Sequence, residues 1–150
     1  MKILIDGDGC PVIAITEQTA KAHHIPVTIL TDMNHRIQSS YSEVITVEQG
    51  NDAVDFALFG LIERNDIVIT QDYGVASLAL SKGAYSLHQN GWEYTPDNID
   101  MLLMERHLGK KQRQSSKKKH YKPIPKRTEK DNEMFLASLY ALLARIQNHF

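Results

Sequence analysis

The sequence predicts a three-layer α/β fold, with helices on both faces of a mostly parallel sheet. Two observations predict it. Short apolar runs rich in β-branched residues alternate with stretches of helical periodicity, the pattern of successive β-α-β units. The chain has 150 residues, 42% hydrophobic and 23% charged, with eight Gly and five Pro. That length suits one core, and the composition is that of a globular protein. The expected organisation is a single domain over residues 1–150, with a basic arm at 109–127 and a docked C-terminal helix at 129–147.

The elements follow in order. Residues 2–5 form an apolar run ending in Asp6, as in a buried first strand, and Gly7-Asp8-Gly9 makes the turn after it. Pro11 suits a helix start, residues 12–23 read as that helix, and Pro26 closes it before the β-branched stretch 27–30. Residues 44–47 are the next run. It leads to Gly50-Asn51, where Asn51 caps a helix whose Val54, Leu58 and Leu61 share one face. Residues 67–70 are another buried strand and Gln71-Asp72 a turn. A short helix follows, with inner face Val75, Leu78 and Ala79, and Lys82-Gly83 stops it. Residues 84–87 give a further strand. A helix over 98–108 has Ile99, Leu102, Leu103 and Arg106 marking its faces. Beyond Pro123 and Pro125, Thr128 caps the last helix, in which Phe135, Leu139, Leu142, Leu143 and Ile146 recur at helical spacing.

Composition excludes several classes. Only three apolar residues lie between Lys2 and Asp6, against the apolar stretch of about 7 to 15 that a signal peptide needs. The longest weakly polar run, 134–144, falls short of the roughly 20 residues that span a bilayer. Cys10 is the sole cysteine, so no internal disulfide forms, and the cytoplasm is the expected compartment. The net charge of -1 hides an asymmetry: residues 1–105 carry fifteen Asp and Glu against five Lys and Arg. Residues 110–127 then hold nine cations and no acid: Lys110, Lys111, Arg113, Lys117, Lys118, Lys119, Lys122, Lys126 and Arg127. A basic arm follows an acidic body.

In open α/β sheets, ligands bind beyond the carboxyl ends of the strands. Asp6, Asp72 and the pair Asp52/Asp55 each follow a predicted strand, and Asp8 lies in the first turn. Asp52 and Asp55 share a helix face at i, i+3. Two bare carboxylates about 5 Å apart repel by roughly 3 kcal/mol at an effective dielectric near 20, so such a cluster calls for cations or protons. Oxygen ligands favour Mg²⁺ or Mn²⁺, which would serve phosphodiester hydrolysis. The bland reading makes Asp52 and Asp55 complements to a helix dipole, and Asp6, Asp8 and Asp72 turn residues bonded to their own backbone.

The segments Ile5-Asp6-Gly7-Asp8-Gly9-Cys10-Pro11, Gly50-Asn51-Asp52-Ala53-Val54-Asp55-Phe56 and Val68-Ile69-Thr70-Gln71-Asp72-Tyr73-Gly74-Val75-Ala76 resemble the YaiI/YqxD family of uncharacterised bacterial proteins. Lys82-Gly83-Ala84, Asn98-Ile99-Asp100, Arg106-His107 and Pro125-Lys126-Arg127-Thr128 extend the resemblance from Ile3 to Ile146. Gly7 and Gly9 stand where the family usually has alanines, and Ser115-Ser116 where it has glycines. The resemblance implies a PIN-like domain, related to nucleases whose acidic residues after parallel strands bind Mg²⁺ or Mn²⁺ and cut RNA. On that pattern Asp6, Asp52, Asp55 and Asp72 are the catalytic and metal-binding acids, and Asp8 a further metal ligand.

Two other readings remain at this point. Asp6-Gly7-Asp8-Gly9-Cys10 after a strand also resembles the opening of haloacid-dehalogenase-type phosphatases, where the first Asp attacks phosphate. A non-catalytic RNA-binding or ribosome-associated module is the other. There the nine cations of the arm, with His120 and Tyr121 interleaved, track a phosphate backbone, against the alternative of a merely solvated charge run. Cys10 reads as structural, the His23-His24 pair as a helix end, and Trp92 and Tyr94 as core or rim. His88 and His107 lack ligand-like spacing.

Overall fold

Six strands and five helices succeed one another in the described residues: β1 (Ile3–Asp6), α1 (Ile13–Ala22), β2 (Val27–Asp32), β3 (Glu43–Val47), α2 (Ala53–Leu61), β4 (Ile67–Ile69), α3 (Tyr73–Ser81), β5 (Tyr85–Leu87), β6 (Glu93–Tyr94), α4 (Pro96–Ser115) and α5 (Glu129–Gln147). The computed structural model describes residues 1–32, 36–48, 53–115 and 126–148, with only the backbone at 106 and 109–115. The sheet order is β3-β2-β1-β4-β5-β6. All neighbours pair in parallel except β5 and β6, which run antiparallel.

Both faces of the sheet are covered, which is why its central strands are apolar without alternation. On one face Ile3, Ile5, Ile29, Ile67 and Ile69 meet Val12 and Ala20 beside α1 and the α5 residues Phe135, Leu139, Leu142, Leu143 and Ile146. On the other, Leu4, Leu30 and Val68 meet Val54 and Leu58 of α2 and Val75 and Ala79 of α3. The predicted three-layer α/β arrangement is the one observed. The five α5 residues singled out by spacing are all buried. Helix α5 is capped by Thr128, whose N–H donates to Asp131 Oδ2 at 2.9 Å, half of a capping box.

Two expectations are corrected, and one strand is added. Leu78 is 40% exposed, because the small side chains of Ala76 and Ala79 form the contact face of α3 with Val75. The helix expected over 98–108 starts at Pro96 and runs to Ser115. Its beginning is fixed by Thr95 and Asn98, whose side chains each accept the other's backbone N–H, at 3.2 and 2.9 Å. Its end runs on because residues 109–115 hold neither proline nor a β-branched residue, so Lys110, Lys111 and Arg113 belong to a helix rather than to an arm. The added strand is β6, two residues long and too short to show a period. It carries Tyr94, 0% exposed, with its hydroxyl donating to Thr70 O at 3.2 Å.

The expected cap Asn51, the site residue Asp52 and the arm residues Lys117, Lys118, Lys119, His120, Tyr121 and Lys122 lie outside the described residues. No helix among the described residues is long and apolar enough to cross a membrane.

Candidate functional site

The strand order creates one topological switch point. From β1 the chain moves outward to β2 and β3, then returns to the other side of β1 for β4. The crevice beyond the carboxyl ends of β1 and β4 is where an open α/β sheet accepts ligands. Asp6 is the last residue of β1, and Asp72 follows β4 by three residues.

Thr70 joins these two acids. The pairing of Ile5 with Ile69 brings the residues after them side by side. The Thr70 hydroxyl, on a residue 3% exposed, donates to Asp6 Oδ2 at 2.9 Å and accepts the Asp72 N–H at 3.0 Å. Asp72 itself caps α3: its Oδ1 accepts from the N–H groups of Gly74 and Val75 at 2.8 and 3.2 Å. The turn-and-cap role that the bland reading allowed is therefore present, on one carboxylate oxygen. Asp8 reaches across to β2. Its Oδ1 accepts from Thr31 Oγ1 at 2.8 Å and the Asp32 N–H at 3.3 Å, tying the first loop to β2. Asp55 sits in the first turn of α2.

Electrostatics tie the acids together. The Asp6 carboxyl is pushed up to about 6, mainly by burial; the Thr70 hydrogen bond opposes the rise, and the negative charges of Asp55, Asp8 and Asp72 add to it. Asp6, Asp8, Asp55 and Asp72 thus share one neighbourhood. Among the described residues, however, no group of three or more His, Cys, Asp or Glu is arranged to hold a metal ion. The acids converge without forming a ready-made cage.

Past the end of β5 lies a cluster of His88, Trp92 and Arg127, of which sequence reasoning set only the histidine aside. His88 stacks on Trp92, ring centroids 4.4 Å apart and 13° from parallel. Its Nδ1 accepts the Asn90 N–H at 3.0 Å, and burial together with the Arg127 charge lowers it to about 4, so the ring is neutral at pH 7. Arg127 donates to Asn132 Oδ1, Asn90 Oδ1 and Gln89 O at 2.9, 2.6 and 2.8 Å, whereas Lys126 is exposed. Burial pushes the Cys10 thiol up to about 11, which keeps it protonated and supports its structural reading. His23 Nδ1 meets Thr19 O at 2.9 Å, a helix-end contact as expected. Thr70 and Thr31 were missed entirely; the only trace of them in sequence is a threonine near the end of each of two strands.

Comparison with known proteins gives the following likenesses. A family model described as "Uncharacterized BCR, YaiI/YqxD family" matches residues 4–145. A UPF0178 protein of Clostridium acetobutylicum is 52% identical, over 97% of this chain and 98% of its own length. A UPF0178 protein of Lachnoclostridium phytofermentans is 48% identical, over 99% of this chain and 100% of its own. Among solved structures, a mutant of Rae1 (YacP) from Bacillus subtilis aligns over 97% of this chain and 99% of its own, with 16% identity and a TM-score of 0.44. At that score and identity the likeness says nothing of activity.

Proposed function

The chain belongs to the uncharacterized YaiI/YqxD family, and from that premise we propose that it is a divalent-metal-dependent nuclease that hydrolyses RNA at its aspartate cluster. The observation that carries the reading is the crowding of Asp6: a half-buried carboxyl at the switch point, raised to about 6 with three further acids contributing. Such a site is relieved by a bound cation, and its all-oxygen donors suit a hard one. The resemblance to PIN-like nucleases supports RNA as substrate.

Asp6, Asp8, Asp55 and Asp72, with Asp52, would hold Mg²⁺ or Mn²⁺. Bound there, the ion supplies charge to polarise a phosphodiester and to acidify a water. The protein's own groups prepare that site. Thr70 orients Asp6 and anchors the Asp72 backbone, while Thr31 and the Asp32 N–H orient Asp8. Asp6 takes up a proton near pH 6, so its ligand capacity is present above that pH and lost below it. The cations at 110–127 would meet the phosphates of the substrate.

Cleavage of a mixed panel of structured and single-stranded RNA in Mg²⁺ or Mn²⁺ tests the reading, with Asp6→Asn and Asp72→Asn as partners to the wild type. Metal-dependent cutting by the wild type, lost in both variants, is the expected result. Absence of cutting by the wild type would overturn it. A second reading, a non-catalytic RNA-binding or ribosome-associated protein, is favoured by the lack of a preformed ligand group among the described residues. It predicts salt-sensitive RNA binding, with a slope of log affinity on log salt of about -3.5 if five cations meet a single strand, and no cutting. The phosphatase reading, which also calls for a downstream lysine at the site, is disfavoured: Lys82, the first lysine after β4, donates to the carbonyls of Phe59 and Ile62 at 2.6 and 3.2 Å rather than toward Asp6.

A further inference from the structure

Helix α2 is apolar on more sides than it buries. Asp55 is its only charged residue, and its core contacts are Val54 and Leu58, 9% and 1% exposed. Phe56 lies off that face and is 75% exposed. A single exposed leucine needs no explanation, but a nearly bare phenylalanine beside a cluster of acids does. Phe56, Phe59, Leu78 and Asp55 line an open cleft of about 280 Å³ between α2 and α3. The Phe59 ring is backed by the Lys82 ammonium, 4.3 Å from its centroid. Asp55 belongs both to this cleft and to the acids around Asp6, so the cleft opens beside the candidate site.

Size selects the occupant. A stable protein–protein interface buries about 800 Å² and 20 to 30 residues on each partner, whereas the apolar lining here, among the described residues, is three side chains. A lipid or drug-like molecule calls for a pocket that encloses most of its surface, and this cleft is open. One flat ring is the body that fits. Charge selects further: with the Asp55 carboxylate on its wall, the cleft suits a neutral aromatic ring with polar edges. An unpaired nucleobase has that chemistry, and it stacks on an aromatic side chain whatever its identity.

Resting on the nuclease reading above, we propose that Phe56 is a nucleobase platform: an unpaired base of single-stranded RNA stacks on its ring in the α2–α3 cleft and sets the position of the strand relative to the aspartates. Phe56 is then a positioning residue for a single-stranded substrate. Bases paired inside a duplex are not available to it, so the platform favours single strands over duplexes.

The deciding measurement is fluorescence anisotropy of a short fluorescein-labelled oligouridylate with the full chain. Ca²⁺ replaces Mg²⁺, so that ligation is supported without cutting. Phe56→Ala is expected to weaken binding about 5- to 150-fold, the range for loss of one stacked base, while Phe56→Trp retains it. An oligomer with abasic riboses should bind wild type and Phe56→Ala alike. Because the side chain is exposed, thermal melting of Phe56→Ala should match the wild type. Equal affinity of wild type and Phe56→Ala for the oligouridylate would overturn the platform, yet leave the nuclease reading standing wherever Asp6→Asn abolishes cutting. No binding of single-stranded RNA by the wild type would overturn the platform together with the RNA reading. A sedimentation shift from oligomer to monomer in Phe56→Ala would assign the cleft to contact between copies and overturn the platform.

Discussion

Two aspartates stand at opposite ends of the same sheet. Asp66, just before β4, is 1% exposed and accepts from the Lys2 N–H at 3.0 Å, the Lys2 ammonium at 2.7 Å and the Glu63 N–H at 2.8 Å. Asp6, at the other end of β1, receives the Thr70 hydroxyl and faces the charges of Asp55, Asp8 and Asp72, with its carboxyl pushed up to about 6. The buried carboxylate of Asp66 is closed by a cation and two amides; the half-buried one of Asp6 is held among like charges. The first arrangement stabilises the fold, while the second is tolerated at a cost, as expected where a site waits for a cation.

The largest expected effect breaks the stabilised end. Asp66→Ala strips the Lys2 ammonium, its side chain 24% exposed, and two backbone donors of their acceptor. Urea denaturation should show a loss of about 3 kcal/mol. A loss below about 1 kcal/mol is the value of an exposed ion pair and would erase the contrast between the two ends.

Asp6→Asn should act in the opposite direction. In metal-free protein near neutral pH it is expected to gain on the order of 1–2 kcal/mol, since the amide carries no charge to be desolvated. The pH dependence follows from the sign of the shift. The folded-state value near 6 lies above the ordinary carboxyl value of 3.8, so the contribution of Asp6 to stability is full below about pH 4 and lost as pH rises through 6. The advantage of Asp6→Asn should therefore vanish below about pH 4 and be complete above 6. His88 runs the other way. Lowered from 6.5 to about 4, its contribution is present above 6.5 and lost as pH falls through 4. In the wild type the two trends oppose each other between pH 4 and 6, so Asp6→Asn should unmask a steeper fall in melting temperature on acidification. Parallel pH profiles for the two proteins would show that Asp6 carries no such load.

How much of this contrast is legible in sequence depends on what each feature requires. The strands and the aspartates after them are readable because each apolar run is local, and those of β1 and β4 are closely followed by Asp6 and Asp72. Their convergence needs only the general rule that parallel strands present their carboxyl ends together. The Thr70–Asp6 and Lys2–Asp66 bonds each span 64 residues and depend on the β1–β4 register, which no local pattern encodes. Leu78 deceived for a related reason: its spacing from Val75 is that of an inner face, but the close contacts of α3 are made by alanines. The basic run hid the end of α4, because charge without apolar residues shows no period even where Lys110, Lys111, Gln112 and Arg113 are good helix formers.

Thr70→Val sharpens the comparison with the smallest change. Valine keeps the shape but neither donates to Asp6 nor accepts from the Asp72 N–H, and one lost buried partner costs about 1 kcal/mol. Because the Thr70 hydrogen bond lowers the Asp6 carboxyl, its removal should drive that group above 6, visible in carboxyl-carbon NMR titration of the metal-free protein. The acid limb of any metal-dependent activity should move to higher pH with it, and Thr70→Ser, which restores the hydroxyl, should return both. If the titration of Asp6 stays in place while stability drops, Thr70 supports only the Asp72 backbone, and the crowding of Asp6 owes nothing to the hydroxyl that links the two strands.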